Sequence, residues 1–191
     1  KKKKTHPPNN NPRHFNHNRV QSRFYGEKGK FSYQAALYFQ RQDYFKLDER
    51  TKGGDYQRFD VKSHRDDWGA IMHLRLEGRH NAFALGGEFK NGSIDGGDHY
   101  VTSTDEVLNK GSIRILSVFA QDELSLFNKK IWLQVALRYD NAYFHKGWFE
   151  ANGENVSDFN TYNGKLKNNR WEHLSPRVAL RYNPTRAISA Y

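Results

Sequence analysis

The residues that could do chemistry in this chain are few, and their spacing is poor for most reactions. There are nine histidines and no cysteine, so disulfide and thiolate chemistry are excluded. His14 with His17, or His64 with His73, could be imagined as metal ligands. No HExxH, carboxylate–histidine triad or tight His/Asp cluster accompanies them, so adventitious metal binding is the most they support. Asp122 and Glu123 are a tempting carboxylate pair. In a strand, however, consecutive side chains leave on opposite faces, so the two cannot share one proton-transfer task. Neither a nucleophile elbow nor a glycine-rich phosphate loop is present. No enzyme, resident cofactor or metal is expected.

The elements that carry these residues follow a period of two. In FSYQAALYFQ, Phe31, Tyr33, Ala35, Leu37 and Phe39 share one face, and Ser32, Gln34, Ala36, Tyr38 and Gln40 the other. WGAIMHLRLEG repeats the alternation, and AFALGGEF follows after a link at 77–81. IWLQVALRYD does the same, with Leu133, Val135, Leu137 and Tyr139 opposite Trp132, Gln134, Ala136 and Arg138. VALRYD at 135–140 returns as VALRYN at 178–183. Such alternation describes strands with one greasy face. SVFAQDELSLF is harder to phase, because Phe119 and Phe127 share one parity and Val118, Leu124 and Leu126 the other.

Composition narrows the class. Mean hydropathy is −0.98, yet 15% of residues are aromatic, which is unlike a disordered chain. The net charge of +10 sits mostly in residues 1–55, which hold 13 Lys/Arg against 5 Asp/Glu. The rest is nearly balanced, with no cationic–aromatic groove pattern, so no nucleic-acid partner is expected. No apolar run is long enough for a transmembrane helix, but membrane β-strands leave only a weak hydropathy signal. No signal peptide is visible. Residues 1–18, rich in Lys, Pro, Asn and His, read as an irregular basic arm or loop.

Connections fall into two populations. Those near 27–30, 77–81, 128–130 and 183–186 are short, whereas 50–56, 91–112 and 146–170 read as long loops rich in Gly, Asn, Asp, Lys and Ser. Short turns alternating with long loops are the pattern of an up-and-down antiparallel barrel, whose successive connections lie at opposite ends. Opposite the greasy face stand Gln34, Gln40, His73, Arg75, Glu77, Glu88, Gln134, Arg138, Arg177 and Arg181. A small barrel would have to satisfy all of these internally, so they favour a large one. Tyr44, Tyr139, Tyr143, Trp148, Trp171 and Tyr182 suit interfacial belts.

SVFAQDELSLFNKKIWLQVALRYD and HLSPRVALRYNPTRAISAY resemble the barrel hairpins of TonB-dependent outer-membrane receptors. The matching positions are 119–123, 136–140, 175–177 and 180–184, and HNAFALGGEFKNG at 80–92 resembles the hairpin before them. The resemblance implies an all-β, antiparallel transmembrane β-barrel, here a partial set of about eight strands from a barrel of twenty-two. Residues 19–191 would be a middle portion of that barrel, with the plug domain absent. Its C-terminal aromatic, Tyr191, lies in AISAY, which resembles the start of a mid-barrel strand.

By the same resemblance the parent protein would sit in the outer membrane of a Gram-negative bacterium, among its lipids. It would import a scarce nutrient complex, first an iron–siderophore, with energy from a TonB–ExbB–ExbD complex acting on the plug. Ligand contacts in that family come from the plug apex, the inner wall and the external loops. The corresponding residues here are Tyr56, His99, Tyr100, His145, Trp148, Phe149, Phe159 and Tyr162. The alternative is a small outer-membrane barrel with a structural or adhesive role.

Overall fold

The computed structural model describes residues 12–128, 130–185 and 188–190. Of the sequence expectations, residues 1–11 of the arm and Tyr191 lie outside them. The described chain is one antiparallel sheet of nine strands. They are β1 (Arg13–Lys28), β2 (Phe31–Lys52), β3 (Asp55–Glu77), β4 (Asn81–Tyr100), β5 (Glu106–Leu126), β6 (Ile131–Asn152), β7 (Gly164–Lys165), β8 (Asn169–Thr185) and β9 (Ile188–Ala190). Each main strand pairs with the next in sequence, β8 follows β6, and the two-residue β7 sits on the upper part of β6. The sheet does not close on itself among the described residues. An open edge leaves peptide groups unsatisfied in hydrocarbon, so this is part of a barrel rather than a whole one. Residues 13–18, expected in the arm, are instead the first part of β1, paired with 41–46 of β2.

The register decides the faces. Phe31, Tyr33, Ala35, Leu37 and Phe39 lie opposite Leu76, Leu74, Met72, Ala70 and Trp68. These in turn meet Phe83, Leu85, Gly87, Phe89 and Asn91. The apolar face continues through Leu116, Val118, Ala120 and Leu124 of β5 to Val135, Leu137 and Tyr139 of β6, then to Leu174, Val178 and Leu180 of β8. The repeated VALRY segments are neighbours: Val135 and Val178 are direct partners, both on this face. Large side chains here are about half exposed, for example Met72 at 50% and Val178 at 69%. All ten polar residues predicted for the opposite face share it by register. That face also holds the buried Ala36, Gln57, Phe59, Asp67 and Ser117, as expected where the sheet curves and side chains converge.

The apolar face is a band of limited height. It covers 31–39, 68–76, 83–89, 116–124, 131–139 and 174–182, mostly nine residues per strand, and its one outward carboxylate, Asp122 near the lower rim, accepts from Asn81. Trp68, Asn91, Arg114, Tyr143 and Arg170 form one row across five strands. Trp68 is the upper rim of the band on β3, but on β8 the rim is Leu174, four residues below that row. The band therefore steps by about one residue per strand, a strand tilt of roughly 30–35° at about 3.3 Å per residue and about 4.8 Å per strand. Nine residues at that tilt give a height of about 22 Å, close to the roughly 25 Å apolar band of membrane barrels. Phe31, Phe83 and Tyr182 mark one rim, and Phe39, Trp68, Phe89 and Tyr139 the other, as aromatic girdles do. Tyr44 and Trp171, expected in these girdles, lie by register on the polar face instead.

The polar face is tied together within the band by a few networks. Arg138 holds Asp140 at 2.8 Å, and the buried Ser117 hydroxyl donates to the same carboxylate. Arg75 pairs with Glu123 at 3.3 Å, and Asp67 accepts from Gln40 and pairs with Arg65. The phase of β5 is set by Phe119, whose ring belongs to the polar face. It lies edge-on to His73 and fills the space over Gly86, where a Cβ would collide with it.

The expected long loops need correction. β2 runs to Lys52 and β3 begins at Asp55, so 50–56 is a two-residue turn in which Gly53 and Gly54 both have positive φ (63° and 98°), as a tight hairpin turn requires. Most of 91–112 is strand, with only 101–105 connecting β4 to β5. Of 146–170, residues 146–152 are the end of β6, and 153–168 are a long connection holding a 3-10 turn at Ser157–Tyr162 and the two-residue β7. Above the band both faces meet water, so the ladder persists while the apolar alternation disappears. That loss of alternation is what reads as loop in the sequence.

Candidate functional site

The strand extensions above the band form a polar concave wall, and its most organised part surrounds Arg50. The Gly53–Gly54 turn sets Arg50 opposite Gln57 and Asp48 opposite Phe59. Phe59 is in turn opposite Tyr100, and the two rings stack with centroids 4.9 Å apart. The Arg50 guanidinium lies 5.2 Å from the Phe59 centroid and 5.5 Å from that of Tyr100. It donates to the Tyr100 hydroxyl at 2.5 Å and to Gln57 Oε1 at 2.9 Å. A guanidinium so placed is held by cation–π and hydrogen-bond contacts without losing its charge to a carboxylate.

The electrostatics of this wall follow from its neighbours. Asp98 sits between Val61 and Val107 in the register, and burial pushes its carboxyl above the usual range against the pull of Arg50. Burial likewise raises the Tyr100 phenol, again opposed by Arg50. Asp48 is held low by its ion pair with Lys46. The wall thus offers an aromatic surface with one oriented cation and a carboxyl that burial holds above its usual range.

Beside it, the connection after β6 is fastened by Asp105. Its carboxylate accepts from the Ser103 hydroxyl at 2.7 Å and from the Asn155 backbone and side-chain amides at 3.0 and 2.6 Å. Burial works to raise this carboxyl, but these donors hold it below its ordinary value. Asn163 closes the same segment by bonding the backbone N–H and C=O of the fully buried Ala151. Phe159 and Tyr162 stand on this platform, 50% and 67% exposed.

The eight residues proposed from sequence are not brought together. Tyr100 and Phe149 lie on the concave wall, Phe149 in register with Asn109 of β5 and Gly164 of β7. Tyr56, His99, His145 and Trp148 lie on the outer face above the band. There His99 pairs with Glu106 at 2.7 Å, His145 stacks on Tyr143 at 5.3 Å, and the Trp148 indole donates to Glu150. Sequence reading did not single out Arg50 or Asp98, which lie within the expected loop ranges 50–56 and 91–112, and missed Gln57 and Phe59. The signal was available in TKGGDY, because a Gly–Gly hairpin turn pairs the residues equidistant from it. No group of three or more potential metal ligands converges among the described residues.

Comparison with known proteins bears on this architecture. The family described as "TonB dependent receptor-like, beta-barrel" matches residues 3–191. The chain belongs to this family. Among solved structures it is similar to the ferric yersiniabactin uptake receptor FyuA from Yersinia pestis, with a TM-score of 0.69 and 9% identity. The likeness covers 93% of this chain and 28% of that one, and at such identity it speaks to the fold alone. No curated protein matches. The membership agrees with the tilted, banded, antiparallel sheet derived above, and places its polar concave face as the inner wall of a TonB-dependent receptor barrel.

Proposed function

We propose that this chain is the part of an outer-membrane receptor that helps bind a scarce nutrient complex, an iron–siderophore in the first instance, for energised import. The observation that carries the reading is Arg50, held against the stacked rings of Phe59 and Tyr100 on the concave wall of a TonB-dependent receptor barrel. An anionic, aromatic-rich iron chelate matches a fixed cation set in aromatic rings, since charge and ring stacking are then met together. The structurally similar FyuA is a ferric yersiniabactin uptake receptor, which supports the same ligand class. Transport would draw on a TonB–ExbB–ExbD complex acting through a plug. The receptor would act in the outer membrane of a Gram-negative cell, without covalent chemistry.

The test is direct binding of a panel of ferric siderophores to the intact receptor in detergent, followed by tryptophan fluorescence. At least one ferric chelate should bind, and Arg50→Gln should weaken it about tenfold or more, the size of one charge-assisted contact. Absence of binding across the panel, or an Arg50→Gln variant that binds like wild type, would overturn the ligand class or the site respectively.

A further inference from the structure

The outer face just above the apolar band carries two different charge patterns at the same height. On β2 and β3 the charges neutralise one another. Arg41 pairs with Asp66 at 2.8 Å, and His64 lies between Asp43 and Asp66 at 2.5 and 3.1 Å. On β5, β6 and β8 no such ion pair forms, although Glu172 is the outward residue next to Arg170. Arg114 is the first outward residue above Leu116, and its register partners are Asn91 and Tyr143. The positions flanking it on this face are Phe89, Ser93, Asn141 and His145, none of them acidic.

Arg170 stands in the same row, two strands away, with its guanidinium 5.6 Å from the Tyr143 centroid. The Tyr143 hydroxyl accepts from Asn168 at 3.1 Å, and Glu172 accepts from Asn141. Among the described residues no carboxylate reaches ion-pairing distance of Arg114 or Arg170. The local field is positive enough that the neighbouring His145, already disfavoured in its charged form by burial, is lowered further by Arg114 and Lys146.

We infer that Arg114, Tyr143 and Arg170 form a binding site for the phosphate of an outer-leaflet lipid headgroup. The row spans two strand spacings, about 10 Å between the arginine positions, so the two long side chains can reach one phosphate held between them, with Arg170 over the Tyr143 ring. Guanidinium groups are weakly hydrated forks that match phosphate oxygens in pairs. A lipid is the source favoured over a soluble anion because Arg114 borders the band directly. Leu116, the next outward residue below it, is the upper rim on β5, whereas Asn141 and Glu172 stand between Tyr143 and Arg170 and their rim residues Tyr139 and Leu174, so a bound phosphate would leave its acyl chains along the apolar face on the β5 side. The inference rests on the outer-membrane placement proposed above, but not on which nutrient is imported.

The experiment uses the intact receptor in detergent micelles and native mass spectrometry of retained lipid, with dioleoyl phosphatidate and dioleoyl glycerol as probes. Wild type should retain the phosphatidate in preference to the glycerol. The double variant Arg114→Gln/Arg170→Gln should bind it about tenfold more weakly, and Arg41→Gln should bind as wild type does. Heat-modifiable gel mobility verifies that each variant is folded. Equal retention by the double variant, or an equal loss in Arg41→Gln, would overturn the site. Displacement by an equal concentration of inorganic phosphate would overturn the lipid assignment. Quenching of tryptophan fluorescence by brominated-chain lipid is expected because Trp68 lies on the band; its absence would overturn the placement and the site with it. Quenching without phosphatidate preference would overturn the site alone.

Discussion

Replacing Met72 and Ile71 by arginine, one at a time, separates the faces of the sheet more sharply than hydropathy would allow. Met72 is the central residue of the band on β3, four residues from each rim and 50% exposed. Its register partners are Ala35 and Gly87, and nothing polar flanks it on that face. At about 3.3 Å per residue the rim is about 13 Å away along the strand, beyond easy snorkelling. Met72→Arg should therefore cost about 2–4 kcal/mol, the cost of a cation at the midplane of a barrel's lipid face. That is roughly a 30- to 800-fold shift in the folding equilibrium.

Ile71 is equally apolar, but it is on the concave face directly opposite Glu88. Ile71→Arg places a cation beside a carboxylate and should change stability by less than about 1 kcal/mol. The assay is equilibrium unfolding of the intact receptor by guanidinium in lipid vesicles, read by tryptophan fluorescence. Equal costs for the two substitutions, or a larger one for Ile71→Arg, would refute the assignment of faces.

Three further outcomes follow from local geometry. Gly86→Ala should destabilise the barrel by about 1–3 kcal/mol, measured in the same unfolding assay, because its Cβ would collide with the Phe119 ring and come within 2.8 Å of the Met72 carbonyl. Asp105, whose carboxyl is lower when folded, stabilises the 153–163 segment above the unfolded value of about 3.9. That stabilisation is lost as pH falls through the folded value. Amide exchange at Asn155 should therefore accelerate below about pH 4 in wild type, and at neutral pH in Asp105→Ala. Gly53→Val should weaken the β2–β3 apex by about 1 kcal/mol or more, since φ there is 63°, and should reduce binding at Arg50; protease sensitivity of the apex reports it.

The band was legible in the sequence because lipid on one side and polar neighbours on the other force a period of two. The alternation in 31–39 and 68–76 therefore survives in the register unchanged. Phe119 obscured the phase of β5, since an aromatic serving to cover Gly86 on the polar face has the same hydropathy as one facing lipid. Above the band the rule lapses: Asp95, Gly96 and Gly97 read as loop, yet all three are paired on both sides. For the same reason the proposed ligand residues scattered. A loop residue has no assigned face, whereas Tyr56 and Tyr100, placed on strands, point to opposite ones. Arg50 was not singled out because its partners lie across a turn and a neighbouring strand, 50 residues away in the case of Tyr100.

Import of a ferric chelate by the whole receptor, across the outer membrane and with energy from the inner one, is the central claim. Uptake of ⁵⁵Fe-labelled siderophores into cells with and without the intact receptor, in the presence and absence of a protonophore, tests it most directly. Accumulation should require the receptor, be abolished by the protonophore and be reduced by Arg50→Gln. Accumulation that is the same without the receptor for every chelate tested would contradict the claim.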